Sequence, residues 1–199
     1  MGKIWLKLAG ASAAAATVLA LAASPALAAP TFTVTHGGTN LPATAQGTFT
    51  MVDGSNTFTC TAGTFKVTIP NGTGLSGAGI GTIPAIAFGG CTGPLSISVT
   101  VTLVGAPTIN IVSISGGVVI GTITGVDLKL SGTLCTAEIT GTVDFSYNSS
   151  TGVFTISPDG NLLTVKSASC LGVLNKGDVV KLNGSFKLKN APFVDITSP

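Results

Sequence analysis

Few side chains in this sequence can move a proton or share an electron pair. His36 is the only imidazole, and the nine basic residues are all lysines. Acyl transfer needs a nucleophile, a base and donors for the oxyanion. The nearest approach to a nucleophile elbow is Gly74-Leu75-Ser76-Gly77-Ala78, which lacks the second glycine of G-x-S-x-G and any following helix. Ser76 with His36 is therefore the one hydrolase pair the residues offer, against the plainer reading of an edge-strand histidine and a loop serine. Asp127, Glu138 and Asp144 alternate with apolar residues, which places them outward in solvent. A carboxylate pair for glycoside chemistry needs two acids within about 5–10 Å, and no spacing marks one. Asp53, Asp159 and Asp178 sit in or beside turns, where such residues cap backbone groups. Gly72-x-Gly74-x-x-Gly77 matches a dinucleotide fingerprint only formally, because no helix follows and no acid stands between Ser55 and Val126. It reads as a surface loop, and no cofactor or metal is expected.

Cys60, Cys91, Cys135 and Cys170 complete the set of chemically distinctive residues. None has C-x-x-C spacing and one histidine is available, so zinc is a poor rival to two disulfides. Cys60-Thr61-Ala62 is echoed by Cys135-Thr136-Ala137, and Cys91-x-Gly93 by Cys170-x-Gly172. If the echo marks two related halves, about 45–104 and 118–189, the bridges are Cys60–Cys91 and Cys135–Cys170.

Disulfides require an oxidising compartment, and the N-terminus supplies a route to one. Lys3 and Lys7, an apolar run from Ala11 to Leu21 and Ala26-Leu27-Ala28 read as a signal peptide over residues 1–28 with an A-x-A cleavage site. The expected mature chain, 29–199, is long enough for one core and short for two. It keeps seven lysines against seven acids, so its net charge falls from +2 to zero. No basic patch supports nucleic-acid or anionic-membrane binding. After cleavage the chain is not expected to be integral to a membrane.

The elements that must position these residues are strands. From Cys91 to Val104, Ser96, Ser98, Thr100 and Thr102 alternate with Ile97, Val99, Val101 and Leu103, a period of two with one face in a core. Thr31–His36 repeats it, with Phe32, Val34 and His36 on one face. Gly47–Cys60 forms a hairpin around Asp53-Gly54-Ser55-Asn56. The apolar phase slips between Ile111 and Val112, a bulge, and flips at Gly125, where a strand bends or changes sheets. Asn71–Gly81 is the least strand-like segment, Pro158-Asp159-Gly160 reads as a turn, and Asp178–Lys189 closes the set. No mature window carries helical apolar spacing. The expectation is an all-β antiparallel sandwich or barrel of roughly ten to twelve strands.

GLSGAGIGTI (74–83), FGGCTGPL (88–95), GTITGVDLKLSGTLC (121–135), SCLGVLNKGD (169–178) and the closing ITSP (196–199) resemble small four-cysteine secreted proteins of actinomycetes, some of which are named cholesterol esterase. The resemblance implies an extracellular or cell-surface protein and carries over no catalytic residue. Two functions follow. One is a non-catalytic binding or structural role toward a lipid or a cell-wall or extracellular polymer, suited to the low charge and the rows of Thr and Ser. The other is a sterol or lipid ester hydrolase with His36 as base. An oligomeric envelope pore is a third, disfavoured by the cysteine bridges.

Overall fold

The computed structural model describes residues 29–199, so the leader reading lies outside the described residues. Thirteen strands form: β1 Thr31–Thr35, β2 Gly38–Ala45, β3 Phe49–Asp53, β4 Asn56–Ile69, β5 Gly72–Ser76, β6 Gly81–Thr92, β7 Ser98–Leu103, β8 Thr108–Ser115, β9 Val118–Ser131, β10 Thr136–Asn148, β11 Val153–Ser169, β12 Val179–Leu188 and β13 Asp195–Thr197. Every pairing is antiparallel, and one 3-10 turn, Pro94–Ser96, precedes β7. The all-β expectation holds, with one strand more than the upper bound.

Alternation dictates which face goes inward. On β12, Val180, Leu182, Phe186 and Leu188 are buried while Lys181 and Lys187 are exposed. On β7, Val99 and Val101 are buried between exposed Ser98, Thr100 and Thr102.

The long strands exchange partners part-way along, and each exchange is written in the sequence. At Gly125, with φ +73°, β9 leaves β8 and takes up β7, while its other edge stays on β10. A left-handed glycine here lets the inward set switch from Val119 and Ile123 to Val126, Leu128 and Leu130. The predicted bulge at Val112 is also present, between the rungs Ile111–Gly121 and Ser113–Ile120.

These exchanges close the sheet on itself. At one pole the ladder runs β3-β4-β6-β7-β9-β10-β11-β12 and returns to β3; toward the other pole β2 replaces β3 and β8 replaces β7. Eight strands enclose an interior just wide enough for side chains to fill, and the facing walls meet in a sandwich-like arrangement. Phe65 of β4 meets Phe154 of β11 at 5.5 Å and Phe186 of β12 at 4.8 Å between ring centroids. Phe49 meets Phe88 with tilted rings at 4.6 Å, and Phe145 stacks against Phe154 at 4.7 Å.

Glycines make room for these rings. A Cβ on Gly184 would strike the Phe49 ring, on Gly121 Phe145, on Gly93 Phe58 and on Gly77 Phe32. Glycine in a strand interior forfeits packing area, and an aromatic laid across the gap restores it.

Each pole is closed differently. A separate sheet, β13-β1-β5, covers one mouth with Phe32, Val34, Val194 and Ile196, all buried. The other mouth is filled by Ile97, Val173 and Leu174 from the turns before β7 and β12.

Three expectations are corrected. Asn71–Gly81 is not only a loop: β5 forms within it because Leu75 pairs opposite Phe32 of β1, a tertiary partner that local glycine content conceals. Pro158-Asp159-Gly160 is not a hairpin turn: β11 continues through it as a wide bulge, since Ser157 pairs with Asp144 and Leu162 with Thr142. His36 does not share the inner face of Phe32 and Val34: it lies beyond β1, exposed, at φ +58°.

Candidate functional site

The structure separates the one hydrolase pair. Ser76 is opposite Thr31 at the start of β1, whereas His36 follows Thr35 at its end. Five residues of strand between them span about 16 Å, far beyond hydrogen-bond reach. Ser76 Oγ instead accepts the Ala78 N–H at 3.2 Å, a local turn bond. The bend at His36 is held by its neighbour: Gly37 N–H donates to Asn71 Oδ1 at 2.7 Å, and Asn71 Nδ2 donates back to the Gly37 carbonyl at 3.1 Å.

The acids are scattered over the outer wall and turns, with one exception. Glu138 pairs with Lys166 at 2.6 Å on the exposed face of β10 and β11. That bond, and then the positive charge, hold the Glu138 carboxyl below its usual range. Asp127 is half-buried with Oδ1 unbonded, and Asp144 lies over Gly160 in the β11 bulge. Asp53 and Asp178 do come together, close enough for their carboxyls to act on each other. Burial first, then the neighbouring Asp178 carboxyl, raise the Asp53 carboxyl above its ordinary value. Both belong to turns: Asp178 Oδ2 accepts the Asn175 N–H at 2.6 Å, and Asn56 Nδ2, in the hairpin after Asp53, donates to the Val173 carbonyl at 2.9 Å. Asn56 thus ties the β3–β4 hairpin to the turn before β12 and sets the two carboxyls side by side. Among the described residues no group of three or more His, Cys, Asp or Glu side chains is placed to hold a metal.

Both disulfides are confirmed, Cys60–Cys91 and Cys135–Cys170, with Cα–Cα distances of 4.0 and 3.9 Å. Each joins neighbouring antiparallel strands at the same pole, and each cysteine is buried. Outside them runs a belt of hydroxyls in cross-strand register: Thr50–Thr59–Thr92–Ser98, and Thr100–Ser131–Thr136–Ser169.

Comparison with family models, curated proteins and solved structures returns no match.

The interior offers a ligand little room. The void beneath β13, among Ile69, Ile111, Val119, Phe145 and Tyr147, is about 40 Å³, space for a water but with no polar group to bind one except the Tyr147 hydroxyl. The roomier depressions, about 330 and 460 Å³, are grooves on the outer wall beside Lys66 and Lys189 and beside Glu138 and Ser169. The Tyr147 hydroxyl donates to the Val194 carbonyl at 2.8 Å. Burial, and secondarily Asp195, push the phenol above its ordinary value.

Surface features are more distinctive, and three leucines were not singled out by sequence. Leu95, Leu134 and Leu171 expose 81, 54 and 65% of their surface at the disulfide pole. Leu95 and Leu171 hold left-handed backbone, φ +57° and +52°, costing roughly 1–2 kcal/mol for a residue with a Cβ. In the same turns Ile97, Val173 and Leu174 point inward. No helix among the described residues is long and apolar enough to cross a membrane.

Proposed function

We propose that this is a secreted extracellular or cell-envelope β-protein with a non-catalytic binding or structural role toward an apolar or polymeric partner. The observation that carries it is the placement of the chemistry-bearing residues: His36 and Ser76 at opposite ends of β1, over an interior filled by phenylalanine. Its binding capacity then lies on the outside, in hydroxyl rows and exposed leucines rather than in a pocket. Two disulfides suit an oxidising compartment, and the signal-like N-terminus suits export.

The esterase reading rests on the resemblance alone. Purified mature protein incubated with cholesteryl and p-nitrophenyl esters is expected to give no turnover above buffer. Turnover that His36→Ala abolishes by orders of magnitude would overturn the non-catalytic reading.

A further inference from the structure

We infer that the disulfide pole is a docking tip for the surface of an uncharged or zwitterionic lipid, with Leu95, Leu134 and Leu171 as the inserting side chains. The inference rests on the binding role proposed above and names its partner.

The leucines form one rim. Thr136 pairs with Ser169, and Cys135 is bridged to Cys170, so Leu134 and Leu171 stand across from each other one rung further out. Leu95 belongs to the turn leading into β7, whose Ser98 lies directly beside Gly132 in the turn that carries Leu134. The bridges brace these turns: Cys135 ends one, Cys170 begins another, and Cys91 lies in β6 two residues before the third opens at Gly93.

Packing does not explain the leucines. Ile97, Val173 and Leu174 already fill that mouth of the barrel, yet Leu95 and Leu171 occupy left-handed positions that glycine or asparagine would hold at less cost. An observed outlier of this kind, with an exposed apolar side chain, points outward to a partner.

Charge and area choose the partner. Residues 93–97, 132–134 and 171–177 contain one charge, Lys176. Asp53 and Asp178 adjoin them and Lys181 lies nearby, so the tip carries no net charge and offers an anionic surface no attraction. Three leucines contribute on the order of 300 Å² of apolar surface, well short of the roughly 800 Å² per partner of a stable dimer. They project from convex turns, which suits a deformable lipid interface, where affinity scales with inserted apolar area.

Flotation of the oxidised mature protein with phosphatidylcholine vesicles tests this. Binding is expected, insensitive to salt and to added phosphatidylserine. Each of L95S, L134S and L171S should weaken partitioning about tenfold. L162S, at an exposed leucine on the barrel wall, should leave it unchanged, with all variants retaining the wild-type circular dichroism. No flotation, flotation untouched by the triple substitution, or flotation that needs phosphatidylserine overturns the inference. So does a concentration-dependent dimer in sedimentation equilibrium that the triple substitution abolishes. Failure to float together with co-sedimentation on insoluble cell-wall polymer would sink this inference and leave the binding role standing. Ester turnover dependent on His36 would remove the binding role whatever the vesicles show.

Discussion

Asp53 and Tyr147 give individual residues a measurable pH signature. The folded state holds the Asp53 proton more tightly than the unfolded chain does, because burial and Asp178 disfavour its charge. Stability therefore falls as pH rises from the unfolded carboxyl value near 4 through the higher folded one. Asp53→Asn should raise the thermal midpoint at pH 7, and the gain should vanish below about pH 4; a midpoint lowered at pH 7 would contradict the repulsive pairing. Tyr147 also holds its proton more tightly when folded, so stability falls as pH climbs past about 10, where the unfolded phenol ionises. Tyr147→Phe should cost about 1 kcal/mol at neutral pH through the lost bond to Val194 and flatten that alkaline decline, both readable in urea titrations. Neither effect was legible in sequence. Asp53 and Asp178 were recognisable only as turn residues, and nothing local says that the two turns meet.

Strands were legible where they carry their own alternation. The slip at Val112 and the flip at Gly125 showed because a period of two exposes any extra residue as a change of phase. β2, β5 and β13 were not, since their regularity comes from partners: Pro42 interrupts β2, glycines dominate β5, and β13 is three residues seated on β1. The continuity of β11 through Pro158-Asp159-Gly160 was hidden for the converse reason, a turn-forming triplet absorbed as a bulge against β10. The fit of rings over glycines is a strand property open to test. The three atoms nearest a Cβ on Gly184 all belong to the Phe49 ring, so Gly184→Ala should cost roughly 1–3 kcal/mol in chemical denaturation. Gly89→Ala, whose Cβ would meet only Ala62 at 3.6 Å, should cost far less; equal losses would mean the rings move aside freely.

For the whole molecule, the ring and its two staples set stability. Each bridge closes a loop, with separations of 31 and 35 residues, which in the chain-entropy model contributes on the order of 3–4 kcal/mol. Paired Cys→Ala variants at either bridge should lose that much by urea midpoint while keeping a strand-dominated circular dichroism, since the ladder closes through backbone bonds. Helix appearing on reduction would refute this. Sequence identified the bridges through the echoed contexts of the four cysteines and the pleated class through alternating apolar residues, both of them local signals. It did not disclose the filled interior or the leucine rim, which exist only once turns far apart in the chain are gathered at one pole. The pairing of Thr33 with Thr197 has a practical corollary. The start of β1 and the end of β13 thereby lie side by side at the mouth opposite the disulfides. A dye, affinity handle or solid support attached beside Thr33 or Thr197 therefore grips the molecule by its back and leaves the leucines facing whatever is presented.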